Sequence, residues 1–390
     1  MESQLIHVMD PQTRKIGFKD SNGKQIIPFV YDEVGVWQEG LVFVRRERWI
    51  GFLDANGDEC ISLQDYIVDS KLFIDGLCTV KKKDSLGQIK SGAIDNKGYL
   101  VIPAKYDLCI NSGEGVVFAT KGLWKGFVAP NGEQIDLSTF EIKGNSFFCG
   151  LFIVGREGKY GILKWGCIDR NGRVRVPIIY DSIESLSEGF VTFRLNKKFG
   201  VANYFGLELT KPYYDDIHYY SCGLCAVKKN GLWGFLGESG NVVIPIRFSS
   251  VKDFSEGFAS VKENNKWGVV NSRGQLITRI EYDDIGQYSE GLCAVKKVGW
   301  NDKWGFINTM GEISIPLIFA ETEFFKNGRC RVKRTGMVLG EDNPWGVIDR
   351  NGNFIEAWDD NTADIISGKI GNTFENIAKG IYVARQLLGF

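Results

Sequence analysis

The chain has 390 residues, 44 % of them hydrophobic and 13 % aromatic, which is ample for a large core. Its 47 basic and 48 acidic residues leave a formal net charge of −1, excluding an electrostatic footprint for nucleic acid or an anionic membrane. No run approaches the roughly 18 apolar residues of a membrane helix, and nine cysteines without a framework point to free thiols in a reducing compartment.

In chain order, Met1 to Asp10 carries neither a basic leader nor a long apolar run, so we read no cleavable signal. A cytoplasmic protein is expected, with leaderless export as the alternative. Gln4 to Met9 occupies the place of a strand before Gly17, and this first strand would be an edge needing cover. From Gly17 a phrase recurs ten times: a glycine follows an apolar–aromatic stretch, and a second glycine follows six positions later. The anchor glycines are Gly17, Gly51, Gly92, Gly126, Gly166, Gly200, Gly234, Gly268, Gly305 and Gly346. The step from Gly17 to Gly51 is the shortest and commonest, and it is lengthened elsewhere by three, six or seven positions. A fixed period of this length indicates a repeat array, not several independent cores.

The unit from Gly223 to Gly257 shows the local logic. Leu224 to Lys229 is dense in strand formers, Asn230-Gly231 is a hairpin turn signal, and Leu232 to Leu236 resumes the strand. Glu238 to Asn241 turns again, and Val242 to Ile244 forms a third strand that Pro245 is expected to stop. Three short strands per unit, in meander order, are therefore expected. Other phases agree. Tyr31-Asp32, Tyr106-Asp107, Tyr180-Asp181, Tyr214-Asp215 and Tyr282-Asp283 all stand at one fixed distance from their anchors. Pro28, Pro103, Pro177, Pro245 and Pro316 share another phase, and Glu-Gly pairs such as Glu39-Gly40 and Glu256-Gly257 close the cycle.

The second glycine, often in Asn-Gly, suits a turn with positive φ. The anchor glycine lies mid-strand, where glycine signals close backbone approach or an aromatic lying over it. Trp165, Trp233, Trp267, Trp304 and Trp345 directly precede Gly166, Gly234, Gly268, Gly305 and Gly346. One tryptophan per unit would supply much of the core between neighbouring repeats. Insertions near 63–75, 83–90, 145–164, 298–302 and 334–344 break the period and are expected on loops, often on the binding side of such arrays. Trp300, in the short insert, is an aromatic outside the repeat slot and a candidate partner anchor.

After about residue 358 the strand pattern ends. Phe374, Ile377, Ala378, Ile381, Ala384 and Leu388 recur at three- and four-residue steps, predicting a helix over about 373–388. We divide the chain into a β array at 1–358 and a helical segment at 359–390, which caps the last repeat or docks a partner through Phe374, Ile377, Ile381 and Leu388.

Chemistry-bearing motifs are weak. In Cys222-Gly-Leu-Cys225 the second cysteine shares its phase with Cys78, Cys293 and Cys330, and with valine or alanine in other units. That phase is a small apolar slot, so we read a packing cysteine and not a redox pair or zinc knuckle. His7 and His218 are the two histidines, and neither has a sequence partner that would mark a base. The repeated aspartates lack a dense Gly–Asp calcium pattern and are expected to accept backbone hydrogen bonds in turns. Lysine pairs such as Lys228-Lys229 read as solvated strand ends that discourage edge pairing. We expect no catalytic residue, no cofactor and no metal.

The phrases Lys303 to Asn308 (KWGFIN), Leu232 to Leu236 (LWGFL) and Lys266 to Asn271 (KWGVVN), with the Tyr-Asp and Ser255 to Phe258 segments, resemble the bacterial WG repeat. The resemblance spans about residues 1–358. It implies β-rich modules generally regarded as interaction modules, and it supplies no catalytic residues. Ten units of this size suit an open solenoid or superhelix, with a closed propeller-like ring as the alternative, since propeller blades carry four strands and usually more residues. The function expected is a non-enzymatic protein-binding scaffold. The alternative is a carbohydrate or small-ligand binder using exposed aromatics.

Overall fold

The computed structural model of the protein describes residues 5–20, 23–68, 70–144, 147–297, 303–334 and 345–357. Trp300 and the segment 359–390, with Phe374, Ile377, Ile381 and Leu388, lie outside the described residues. The chain divides into two compact units, one of Met1–Asn196 with Gly200–Glu208 and one of Lys197–Phe199 with Leu209–Phe390.

Both units are built from small antiparallel sheets whose strands follow one another in sequence order, a solenoid-like tandem repeat. Among the described residues no sheet closes into a barrel. In the second unit, Asp216–Ser221, Leu224–Lys229, Leu232–Leu236 and Val242–Phe248 make a four-stranded meander. The first of these strands corrects the expected count of three. It lies in the segment read as a connection, after the Tyr-Asp pair. Elsewhere it shrinks to Glu33–Val34, Ile67–Val68, Glu141–Ile142 or Ser250–Val251, too short to show alternation. Its hairpin to the second strand is the Glu-Gly pair. Glu256 and Gly257 have φ of 53° and 84°, which is how a type I′ turn matches strand twist.

Pro245 does not end its strand. Val242–Phe248 runs through it, and the pairing slips there: Trp233 faces Phe248 while Phe235 faces Ile244. The strand is last in its sheet, so a proline at a bulge removes no ladder bond. The bulge presses its backbone onto the anchor glycine. A Cβ on Gly234 would stand 2.6 Å from the Ile244 carbonyl oxygen and 2.7 Å from the Ile246 nitrogen. On Gly305 the same distances, to Ile315 O and Leu317 N, are 2.6 and 2.7 Å. Close backbone approach is thus the physical reason for the anchor. The second glycines differ: all ten have φ between 75° and 89°. In eight of the ten units the turn they close carries an aspartate or asparagine three positions after the anchor; Ala129 and Gly237 stand there in the other two. Asp54 Oδ1, for example, accepts the N–H groups of Asn56 and Asp58 at 2.9 and 3.0 Å.

Successive sheets stack through apolar faces. Phe235, Ile244 and Phe248 of one sheet pack with Ala259, Val261 and Val270 of the next. Phe118, Phe127, Phe152 and Ile168 do the same in the first unit. The largest fully buried side chains are phenylalanines and tyrosines such as Phe52, Phe127, Phe235, Tyr106 and Tyr180. The phenylalanine after the anchor glycine meets another from the stretch entering the next hairpin, edge to face. Phe52–Phe73, Phe235–Phe254 and Phe306–Phe325 have centroids 4.8, 4.9 and 5.0 Å apart. Tryptophan contributes at the margin of this core. Trp233 and Trp267 are buried, whereas Trp165, Trp304 and Trp345 are half-buried. Gly166, Gly234, Gly268, Gly305 and Gly346 are all buried.

Two described insertions lengthen one and the same hairpin, between second and third strands. Leu77–Lys83 pairs with Ile89–Asp95, and Leu151–Glu157 with Leu163–Asp169. In the second unit, Ile313–Thr322 is a single strand that ends one repeat and begins the next, giving a seven-stranded sheet from Asp284 to Ala357.

Candidate partner-binding surface

The repeated aspartates are structural clamps. Asp32 Oδ1 takes the Lys15 ammonium at 2.6 Å, and its Oδ2 accepts the N–H of Glu47, in the next hairpin turn, at 2.7 Å. Asp107 repeats this with Lys90 and Gly122, both at 2.8 Å. Asp181 joins Lys164 to Asn196, and Asp215 joins Lys198 to Asn230. The lysine hydrogen bond leads in holding each of these carboxyls below the usual carboxylate range. The expected backbone acceptor role holds, but the turn served lies 15 residues downstream of the aspartate.

The Glu-Gly turns form a second ladder. In four of them the glutamate carboxylate caps the corresponding turn of the following repeat: in the first unit Glu39 accepts Gly76 N–H at 2.9 Å, and Glu114 accepts Gly150 N–H at 2.8 Å. In the second unit Glu256 accepts the N–H groups of Glu290 and Gly291 at 2.7 and 2.8 Å, and Glu290 accepts Gly328 N–H at 2.8 Å. Glu290 also binds the Arg350 guanidinium, which holds its carboxyl below the usual range. The glutamates that close one repeat therefore tie it to the next.

A third periodic contact involves the tryptophans of the second unit. His218, on the strand that follows the Tyr214-Asp215 pair, lies 4.7 Å from the Trp233 ring. Lys252, at the same phase, places its ammonium 5.6 Å from the Trp267 centroid and donates to the Ile285 carbonyl. From the opposite strand Lys228 and Lys262 lie 5.5 and 5.4 Å from the same two rings. The next residue at this phase is Gly286, facing the unit of Trp304. Among the described residues no cation lies over Trp304. Instead this ring lines a cleft of about 460 Å³ together with Lys252, Asp284, Tyr288, Thr322, Glu323 and Phe324. Phe324 is 66 % exposed beside it. Lys252 is engaged with Ile285, and Glu323 Oε1 is met by Arg331 at 3.1 Å. The cleft thus presents an aromatic face with two carboxylates at its rim.

A family model described as WG containing repeat matches residues 16–47, 165–199, 199–233, 233–267, 267–299 and 304–336, together more than half of the chain. The chain belongs to the WG-repeat family. No curated protein sequence matches it. Among solved structures, the eukaryotic initiation factor is 8 % identical with a TM-score of 0.44, covering 91 % of this chain and 96 % of that one. Hsv2p of Kluyveromyces lactis is 8 % identical with a TM-score of 0.29, covering 71 % and 96 %. PorZ of Porphyromonas gingivalis is 9 % identical with a TM-score of 0.24, covering 85 % and 52 %. At these scores the likenesses assign nothing further to the WG repeats.

All nine cysteines of this WG-repeat chain are thiols, none of them joined in a disulfide. Cys222 is exposed in its turn, while Cys225 is buried on the following strand. Burial raises the Cys225 thiol, and it pushes Cys167 and Cys293 up to about 12 and Cys330 up to about 11. Such thiols carry no thiolate at neutral pH, so the small-apolar-slot reading has a physical basis. Of the two histidines, His218 has a partner for which no motif prepared us: its Nδ1 lies 2.6 Å from Asp253 Oδ1. That hydrogen bond raises the imidazole above its ordinary range, against the opposing effect of burial. Among the described WG units no group of three His, Cys, Asp or Glu side chains is arranged to hold a metal. No described helix is long and apolar enough to cross a membrane.

The signal for the Trp304 cleft was present in the repeat phases, at one column. His218, Lys252 and Gly286 stand at the same distance from Gly200, Gly234 and Gly268 in turn. The meaning of that column emerges only when the tryptophan each residue faces is known. The structure leaves Trp165 and Trp345 apart from this cleft, whose lining comes from residues 252–324.

Proposed function

We propose that the protein is a non-enzymatic interaction module whose WG repeats bind a protein partner, and that the Trp304 cleft lies at the centre of the bound surface. One observation carries this reading: a half-buried tryptophan and an exposed phenylalanine sit together beside polar rim groups in a cleft of about 460 Å³. Aromatic anchors that are desolvated at the middle of a polar rim dominate protein–protein binding energy. By contrast, the recurring carboxylates and lysines are engaged in joining repeats, which supports a scaffold reading over a catalytic one.

Capture of host proteins on the full-length chain, followed by pairwise calorimetry with each purified candidate, tests the proposal. A purified protein that binds wild type and loses at least about tenfold affinity to Trp304→Ala supports it. Tryptophan fluorescence titrated with a glycan panel is the competing arm. Saturable glycan binding, with no protein binding in the pairwise titrations, would replace this reading with that of a carbohydrate binder.

A further inference from the structure

We propose that the Trp304 cleft is a socket for a lysine or arginine side chain of a partner protein, the place that Lys252 and His218 fill from within the chain at the two preceding tryptophans. The inference rests on the interaction-module reading and specifies the chemistry the partner must bring.

The repeat supplies its own comparison. At this one phase, counted from Gly200, Gly234 and Gly268, the three successive occupants are His218, Lys252 and Gly286. The His218 ring lies 4.7 Å from Trp233, tilted by 59°, and the Lys252 ammonium stands 5.6 Å from Trp267. Between those side chains and Lys228 and Lys262 of the opposite strand, both rings are only 9 % exposed. Gly286 offers no side chain, and the next ring, Trp304, stays half-buried and opens into the cleft. A cation over a tryptophan face is the strongest of such ring contacts, more so where water is excluded.

Glycine at 286 is not required by the local backbone. A Cβ there would touch Ala294 at 3.4 to 3.6 Å, ordinary van der Waals contact, and its φ lies outside the left-handed region. A Cβ would therefore be tolerated there, and the lack of any side chain leaves the space in front of Trp304 to one from outside. The acceptors around the space match a cation. Lys252 donates to the carbonyl of Ile285, and Thr322, at the equivalent phase of the next repeat, lines the cleft. Asp284 and Glu323 add two carboxylates at the rim, Glu323 already meeting Arg331 from outside the lining, with Lys252 the one cation among the lining residues. An uncharged apolar guest would take the rim carboxylates out of water and add no charge to meet them, whereas a lysine or arginine head brings one while its methylenes cover the ring.

The test uses the full-length protein labelled with 5-fluorotryptophan, the Trp304 signal being assigned by its loss in Trp304→Phe. N-acetyl-lysine amide, N-acetyl-arginine amide and the uncharged N-acetyl-norleucine amide are titrated in turn by fluorine NMR. The cationic amides should move the Trp304 signal at concentrations about tenfold or more below the norleucine amide. Gly286→Lys should fill the socket from within and weaken that response about tenfold or more, while Gly286→Ala responds as wild type. Asp284→Asn combined with Glu323→Gln should also weaken the cationic amides and leave the norleucine amide unchanged. Equal response to charged and uncharged amides, or an unaltered response in a folded Gly286→Lys, would overturn the inference. A protein partner that binds wild type and Gly286→Lys equally also overturns it, yet leaves the interaction module standing. Cationic amides held at Trp304 with no protein partner in the pairwise titrations support the socket and remove the module reading.

Discussion

Adding one methyl group at Gly234 should destabilise the second unit by about 3.5 kcal/mol. The new Cβ would sit 2.6, 2.7 and 2.8 Å from Ile244 O, Ile246 N and Ile246 Cα, all backbone atoms of the bulged strand. Non-bonded carbon contacts relax at roughly 3.5 Å or more, so the strand must retreat by more than half an ångström. Over-packing of this kind costs roughly 1–3 kcal/mol, and the upper end applies because no side chain can rotate away. Displacing the strand also loosens the Trp233–Phe248 and Phe235–Ile244 pairing, about 1 kcal/mol for one weakened ladder bond. Against this, alanine restricts the unfolded chain and returns about 0.5 kcal/mol. Urea unfolding of Gly234→Ala, followed by tryptophan fluorescence, measures the sum. Gly231→Ala is the paired control. Gly231 has φ of 84° and nothing within 4 Å of its would-be Cβ, so it loses only what left-handed backbone costs, about 1–2 kcal/mol. If Gly234→Ala proved as stable as wild type, or less costly than Gly231→Ala, the close-approach account of the anchor glycine would be wrong.

Three further outcomes are expected. His218 is raised above its ordinary 6.5 mainly by its hydrogen bond to Asp253. That stabilisation is present below 6.5 and fades as pH rises through the higher folded value, so wild type should weaken as pH rises above 6.5, and His218→Gln should not. Asp181 is depressed chiefly by its bond to Lys164, so its contribution is complete above its ordinary 3.8 and is lost as pH falls further. Asp181→Asn should flatten the acid limb of the stability curve; an identical limb in the variant would contradict the clamp. A thiol reagent applied to native protein should modify only the three exposed cysteines, Cys60, Cys149 and Cys222, and reach the six buried ones on unfolding. Prompt labelling of Cys225, measured by peptide mass, would refute the buried-slot reading.

The glycine spacing made the array legible because two different physical demands recur in one unit. Gly234 and its equivalents admit a neighbouring backbone, while Gly240 and its equivalents adopt φ near 80°. Both demands exclude larger residues, so both leave a mark in the sequence. The extra strand was not legible. Ser250–Val251 and Glu33–Val34 are too brief to alternate, and Glu256 in a left-handed turn is not the residue that usually announces a hairpin. Pro245 was read as a stop because proline donates no hydrogen bond, but an edge bulge asks for none. The tryptophans drew attention through their size, although Phe52, Phe127 and Phe235, one residue beyond the glycine, are the more deeply buried rings. As for the candidate cleft, Trp304 was visible as a repeat residue. Its openness depends on Gly286 and on Glu323 and Phe324, and such a juxtaposition of three separate strands and loops has no signature in any one segment.

The strand Ile313–Thr322 belongs to two neighbours at once. Elsewhere one sheet ends before its successor begins, at Tyr31-Asp32 and Tyr106-Asp107 for example, so a pulled or fraying end has a natural place to tear. Here main-chain hydrogen bonds continue across the seam, and the two modules share a common spine. Pulling on either one loads the other. This pair should yield as a single mechanical block, while the modules ahead of it can detach in turn.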